Sequence, residues 1–579
     1  MQQVSENWKD IHKRALLNES FVEVSLDITE PDAFYGVSST PNNGAIYISN
    51  PYMLNEGMAS KVPPTPYCTL EQNMWCLDGK RKAIPESDYK DWCYISDVLS
   101  DDTCIFSTKL PVITINFSRV FDGLMPGITI TWSNAYGEFA DTFSVIVYNG
   151  TNVVTEKEVV GNKSVKSVIS MDFKYYDRIE IIIKKWCLPN HRARVDEIFV
   201  GLNKVFGKAE LFDYSHTQSV DPVSTSLPKN EIRFSIENVN GEYNPYNTDG
   251  FAKYLTERQE IKTRYGLKMD DGSIEWIKGG TFYLSEWYAK QNGMTADFTA
   301  RDLFEFMSAI YYDDEYWDMY DPRYTWASDD GEDLWYEKEN TRINLTNEDG
   351  DVIYTRSLYE LADKVLRSAN LPIIDGTTAK WIIDESLKTM YTTAPLPEDT
   401  LANCLQLIAN AGECVIYQDR EGTIHIEPLK DDIYDYKIDS FNSYSKSEIT
   451  LSKPIKDVSV KLYTYSVDIS KYTAKDGFMK AFDNNTSDVT VNIGISGETI
   501  TLDNPLITDS DRATSVANWL ATHLGHRMSL DSSWRADVRL DALDIVTNEN
   551  NYNTNQVRMT EVEFKYNGAF RGTGKGKVI

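Results

Sequence analysis

Residues 231–247 read EIRFSIENVNGEYNPYN and residues 274–304 read IEWIKGGTFYLSEWYAKQNGMTADFTARDLF, and this stretch decides the fold. Ile232, Phe234 and Ile236 alternate with Arg233, Ser235 and Glu237, the period of a strand with one buried face. Four Asn, a Gly and a Pro then fall between positions 238 and 247, residues that favour turns and positive φ. A second alternating run, 281–287, follows Gly279 and Gly280, and a third spans 294–300. Ala300, Arg301, Asp302 and Leu303 read as the start of a helix. Strand, turn and helix signals succeed one another without a catalytic constellation between them.

Working outward, Val22, Val24, Leu26 and Ile28 alternate with Glu23, Ser25 and Asp27 as a half-buried strand. Before it, residues 5–18 suit an amphipathic helix with Trp8, Ile11, Ala15 and Leu16 on one face and Ser5 as N-cap. Residues 30–110 are loop-rich, with a PPTP break at 63–66, and suggest no regular fold. From Val112 the chain turns to strands at 113–117, 128–132, 143–148 and 179–184, separated by turns about every ten residues. That rhythm predicts a β-sandwich. It closes on HRARVDEIFVG at 191–201. Helices are expected over 357–370, from 397 to Gly412, and over 513–524 with Asp509 or Ser510 as cap. A hairpin, 414–417 and 423–426, turns at Asp419-Arg420-Glu421-Gly422. Val458, Val460 and Leu462 mark a further strand, a polar hairpin region runs to Asp503, and Trp534-Arg535 leads through Asp544 into strands at 557–566 and after Gly568.

The ordered set resembles tail hub proteins, the baseplate components at the end of phage tails. In that family a strand ends in an asparagine, here Asn238, and leads to an N-x-P turn, here Asn244 and Pro245. A G-x-F-Y strand follows, here Gly280 with Phe282, and then the Ala-x-Asp helix start. The D-x-x-G hairpin tip and the segment from Trp534 to Asp544 are similar to hub segments too. The chain departs at Asp537-Val538, where the family often has Asn/Asp-Pro, and at Ala542-Leu543, where Pro or Gly is frequent. The opening and closing of the sandwich resemble discoidin-like, galactose-binding jelly-roll modules. In tail hubs a strand like that at 21–28 meets its successor after a short link. Here about 180 residues intervene, which reads as a module inserted into a surface loop with its two flanks pairing in space.

The resemblance implies a mainly β chain with some α (α+β), built of tail-tube-like β-barrel hub domains plus an inserted jelly-roll β-sandwich. The expected division is 1–30 for the first helix and strand of hub domain I, and 31–110 for a cysteine-containing insertion. The sandwich takes 111–205, the remainder of hub domain I 206–310, an α+β middle domain 311–445, and a C-terminal hub β domain 446–579.

Size and composition agree with several soluble domains: 579 residues, 41% hydrophobic and 25% charged. The formal charge of −30 argues against a phosphate-binding surface, hence against sequence-specific nucleic-acid binding. Its plainest use is solubility, with an acidic lumen past which DNA slides as the functional alternative. No apolar run nears eighteen residues and MQQVSENWKDIHKR lacks a signal-peptide core, so synthesis in a bacterial cytoplasm without membrane insertion is expected. Aromatics at 12% suit extended β-structure and large interfaces.

Chemistry is sparse. Cys68, Cys76, Cys93 and Cys104 lack zinc spacings; with Cys187, Cys404 and Cys414 they read as partly buried thiols, or as one or two disulfides in an exported particle. His523 and His526 sit three apart at a helix end, where capping is the simplest role. The run from Gly572 to Lys577, GTGKGK, mimics a phosphate loop, but no helix follows and a mobile tail is expected. Asp313, Asp314, Glu315 and Asp318 beside Trp317 and Tyr320 read as a solvated or calcium-friendly loop before a glycosidase pair. In the sandwich, Trp132, Tyr136 and Trp186 with Asn134, Asp141 and Arg192 are the candidate sugar contacts, weighed against plain core roles for the two tryptophans.

The expectation is a non-enzymatic hub of a virion tail, with no cofactor and no metal. Implied partners are two further copies in a homotrimer, distal tail and tail-tube proteins, the tape measure protein, spike or fibre proteins, and a host-surface glycan. The rivals are a carbohydrate-active enzyme with a sugar-binding module and a tail-tip receptor-binding protein. Residues 300–579 show neither the strand–helix alternation of a catalytic barrel nor a short repeat.

Overall fold

The computed structural model describes residues 1–14, 17–28, 94–312, 352–467, 482–549 and 552–579, apart from 135, 248–249, 291–292, 370–373, 376–377 and 395, together with 37–39, 44–46, 49, 54, 71, 74 and 343–346. Strand makes up 51% and helix 14%, so the fold is mostly β, as its alternating runs require. The chain divides into two compact units, residues 1–24 with 206–579, and residues 25–205.

The larger unit is organised by one long sheet. Its strands run in the order Ser20–Ile28, Glu260–Lys268, Ile274–Ala289, Thr295–Arg301, Lys229–Glu237, Leu211–Ser219, Thr554–Tyr566, Phe570–Val578, Met528–Trp534 and Glu448–Leu451. Ile545–Glu549 branches from Thr554–Tyr566 and carries Ile433–Ile438 in parallel. The alternation that opens the sequence argument is realised residue by residue. Ile232, Phe234 and Ile236 are buried and face Ala300, Phe298 and Ala296 across the ladder, with the Phe234 and Phe298 rings stacked 5.0 Å apart. Leu211–Ser219 is the hinge of the sheet, pairing Lys229–Glu237 on one side and Thr554–Tyr566 on the other. The early and late segments thus share one ladder.

A second core holds the helices. Leu358–Ser368 is capped by Ser357, whose side chain accepts from Glu360 N–H, and Leu401–Ala411 by Thr400. The latter begins later than its Pro397 signal suggests, because Asp399 is occupied by Thr400 N–H and the Asn403 amide outside the helix. Ser510–Gly525 is capped by Asp509 and lays Ala513, Val516, Ala517 and Leu520 on the sheet of Ile455–Val467, Phe482–Asn492 and Glu498–Leu502. Val458 and Val460 point into the same core as the two earlier helices. Residues 446–579 therefore do not form one β domain. The strands with one exposed face join the long sheet, whereas Val458 and Val460 need a helical lid and take it from Ser510–Gly525. The GTGKGK segment is no mobile tail either. It lies in the strand Phe570–Val578, paired with both neighbours, and its glycines 572, 574 and 576 face inward.

The N-terminal helix is Glu6–His12, with Ser5 accepting from Trp8 N–H and with Trp8 and Ile11 buried; Ala15 and Leu16 lie outside the described residues.

The smaller unit is a sandwich. One sheet orders Val37–Ser39, Val112–Phe121, Tyr176–Trp186, Ala140–Asn149 and Asn152–Val160; the other orders Glu197–Phe199, Met125–Thr131 and Lys166–Phe173. Inward residues of both, among them Ile115, Val145, Ile181, Ile130 and Ile169, form one core. The unit extends back to Ser25 and takes in Tyr94–Leu99, which pairs with Arg192–Val195. At its base the outgoing residues 25–28 run beside the returning residues 202–205, where Asn203 donates to the Ser25 hydroxyl at 2.6 Å.

Candidate functional site

The hub-like residues of the larger unit are structural pins. Buried Asn238 ends its strand by accepting Tyr243 N–H at 3.0 Å, while its own N–H reaches Met294 O at 2.7 Å. Asn244 accepts Tyr246 N–H at 3.0 Å, an Asx turn in which Pro245 sits. Gly280, at φ +156°, lies by the bulge between Thr263 and Arg264; a Cβ there would stand 2.6 Å from the Phe282 ring. Phe282 is buried edge-on to His216, centroids 5.2 Å apart. Trp534 is buried against Gly572, whose absent side chain leaves room for the indole.

The D-x-x-G tip of the hairpin Cys414–Gln418 and Ile424–Pro428 is a key. Asp419 closes the turn by accepting Glu421 and Thr423 N–H, and Gly422 takes φ +83°. That aims Arg420 into the sheet, where its guanidinium donates to Asp541 at 2.7 Å and to the carbonyls of Lys278, Val538 and Leu540. Thr281 and Gln418 complete the latch through Arg420 O at 3.1 Å and Thr281 O at 2.9 Å. Burial alone would raise the Asp541 carboxyl, and Arg420 holds it below its ordinary value. Asp544 accepts Asp541 N–H at 2.7 Å and lies 2.7 Å from the Met1 amine; burial pushes it up to about 6.

Beside the key runs a buried polar chain. Tyr214 and Tyr265 hydroxyls meet at 2.8 Å, Tyr265 reaches His216 Nδ1 at 2.7 Å, and His216 Nε2 reaches Asn230 Oδ1 at 2.7 Å. A neutral His216 satisfies every member: Nε2–H donates to Asn230, Nδ1 accepts from Tyr265, and Tyr265 accepts from Tyr214. Burial lowers His216 to about 4.

A cavity of about 320 Å³ opens next to it, between the hairpin, the 228–230 segment and the 541–544 loop. Its walls include Asn230, Asp302, Tyr417, Asp419, His425 and Glu427. His425 stacks on Tyr417 at 4.9 Å and contacts Asp419 Oδ2 through Nε2 at 2.9 Å. Asp302 caps the helix Leu303–Met307 through Phe304 N–H. No sequence motif announced this site, because its walls come from segments hundreds of positions apart.

In the sandwich the candidate sugar contacts separate. Trp132 and Trp186 are fully buried and T-shaped to each other at 6.0 Å, so neither offers a face to a ligand. Their N–H groups donate to Ser167 Oγ at 2.8 Å and Glu138 Oε2 at 2.9 Å. Asp141 lies 3.3 Å from Lys185, and Arg192 donates to Ser96 O at 2.8 Å. Exposed Asn134 offers its N–H to Asp196, a carboxyl that burial raises to about 6. Tyr136 lies over the Arg194 guanidinium at 4.8 Å. Beneath them sits a buried charge network that the RAR segment could have signalled. Arg194 bridges Glu71 at 2.6 Å and Glu138 at 3.5 Å, and His191 meets Glu138 at 3.0 Å. The Glu138 hydrogen bond raises the His191 pKa.

Cys104, Cys187, Cys404 and Cys414 are free thiols, while Cys68, Cys76, Cys93 and the acidic run at 313–320 lie outside the described residues. His523 packs edge-on against Trp519 at 5.7 Å, and burial lowers its pKa. Among the described residues no group of His, Cys, Asp or Glu could hold a metal ion, and no helix is long and apolar enough to cross a membrane.

No protein-family model matches the chain, and no curated protein does. Solved structures with a partial likeness of fold include the 43 kDa tail protein of prophage MuSo2 from Shewanella oneidensis, at 10% identity over 64% of this chain and 95% of that one, TM-score 0.39. A tail protein from Neisseria meningitidis MC58 is similar at 8% identity over 65% and 93%, TM-score 0.39. Prophage tail protein gp18 from Listeria monocytogenes EGD-e is similar at 9% identity over 65% and 91%, TM-score 0.36.

Proposed function

We propose that the protein is a structural hub of the tail or baseplate of a phage or phage-derived particle. One observation carries the reading. The segments bearing the hub-like motifs, at 20–28, 229–301 and 528–578, join a single hydrogen-bonded sheet, and the D-x-x-G tip locks the helical core to it through Arg420. Such an arrangement makes a stiff wall. Its job is mechanical: three copies close the end of the tube, match its six-fold symmetry to a three-fold tip, and hold spike or fibre parts. Distal tail, tail-tube and tape measure proteins are the neighbours this role requires.

The inserted sandwich serves as an outward attachment module, for a host glycan or a neighbouring baseplate protein. Its ligand-facing surface excludes the Trp132 and Trp186 indoles, and Asn134 and Tyr136 mark the accessible part of the candidate set. Light scattering with negative-stain imaging tests the hub. A ring of about three times 66 kDa is expected. A monomer that stays monomeric with its tail-tube neighbour present overturns it.

A further inference from the structure

We propose that the cavity beside the keyed hairpin binds an organic cation, a primary ammonium or guanidinium group whose N–H donors reach Asp302 and His425. The argument starts from two acceptors that lack donors. Asp302 is 3% exposed; its Oδ1 takes Phe304 N–H at 3.2 Å, and its Oδ2 has no partner. His425 gives Nε2–H to Asp419, so the neutral ring presents Nδ1 as an acceptor, and Nδ1 also has no hydrogen-bond partner. The nearest carboxylate oxygen, Glu427 Oε1 at 3.8 Å, already accepts from Tyr417 at 2.6 Å and Lys430 at 2.8 Å. A buried acceptor without a donor costs about 1–3 kcal/mol, more when charged, and a ligand that brings N–H groups removes that cost.

Charge selects the same class. Seven carboxylates line the cavity against three Lys or Arg side chains, and those three each face a carboxylate already: Arg420 with Asp541, Lys430 with Glu427, Lys229 with Glu231. The stacked Tyr417 and His425 rings add a flat wall, on which a guanidinium packs well. At about 320 Å³ the space suits a small molecule or a single long side chain. Burial raises Asp302 to about 7, so a cation favours its charged form and binds more tightly as pH rises through that value.

The test is calorimetric titration of the full chain with spermidine, standing for free polyamines, and with N-acetyl-arginine amide, standing for a protein side chain. Tetramethylammonium, a cation without N–H donors, is the control. Saturable binding of one of the first two is expected, tighter at pH 8 than at pH 6, at least tenfold weaker in Asp302→Asn and His425→Phe, with the control silent. The tighter of the two probes names the source. Asn keeps the helix cap, so Asp302→Asn retains the fold, and His425→Phe retains the stack on Tyr417. Failure of both probes, equal binding of tetramethylammonium, or binding unchanged in both variants overturns the proposal.

Discussion

Arg420 and Asp541 form a buried ion pair at 2.7 Å that joins a hairpin tip to a loop of the long sheet, across 121 residues of chain. Charged pairs inside a protein add little net stability over an apolar pair, but breaking one is costly because the survivor stays buried. Arg420→Met is therefore expected to destabilise the larger unit by about 3–5 kcal/mol. Asp541→Asn should cost less, since Arg420 keeps three carbonyl acceptors. Denaturant unfolding of the singles and the double variant checks this. A double-mutant loss equal to the sum of the singles would show the pair to be energetically uncoupled.

His216 makes stability depend on pH. Its folded value, about 4, lies below the unfolded 6.5, so the unfolded chain binds the extra proton between them. The contribution is fully present above pH 6.5 and is lost as pH falls toward 4, by about 3 kcal/mol. Melting temperatures of the wild type and His216→Gln across pH 4–7.5 should converge as pH falls, because only the wild type carries this slope.

Asp302 works in the opposite sense. Its folded value of about 7 lies above the unfolded one, so the folded state holds the proton between pH 4 and 7 and loses stability as pH rises through that window. Asp302→Asn, which keeps a capping oxygen, should be more stable than wild type at pH 8, by up to about 4 kcal/mol, and equal to it near pH 4. A thermal-shift series without added cations reads the difference; a variant less stable at pH 8 would refute it.

Gly574 faces backbone, not a flexible neighbour. A Cβ there would lie 2.6 Å from Glu561 O and 3.1 Å from the Trp534 ring. Gly574→Ala should cost about 1–3 kcal/mol, whereas Gly568→Asn, in the open turn at φ +79°, should cost less. Urea unfolding of both distinguishes a packed strand from a loose end.

Trp132 belongs to the sandwich core, with Phe143 at 4.9 Å and its N–H on Ser167. Trp132→Ala should destabilise the smaller unit by about 3–5 kcal/mol. Trp132→Phe should leave any glycan-array profile unchanged, and a profile lost in that variant alone would return the indole to the ligand.

Local chemistry was legible in the chain. The alternation of Ile232, Phe234 and Ile236 marked a strand and its inner face. Ser5, Ser357 and Asp509 marked helix starts, and the Asn238–Pro245 run marked its turn. Each follows from short-range rules, because a side chain's face and a cap's hydrogen bond are settled within four residues. Tertiary structure alone decided the neighbours. Backbone ladders carry no sequence label, so nothing in residues 211–219 announces Tyr566 opposite Tyr214, or that Val458 and Val460 leave the long sheet for a helical core. The same holds for the cavity. Asp302 reads in sequence as a helix cap and His425 as a strand residue, and only the folding of one onto the other's wall leaves two acceptors facing a shared space.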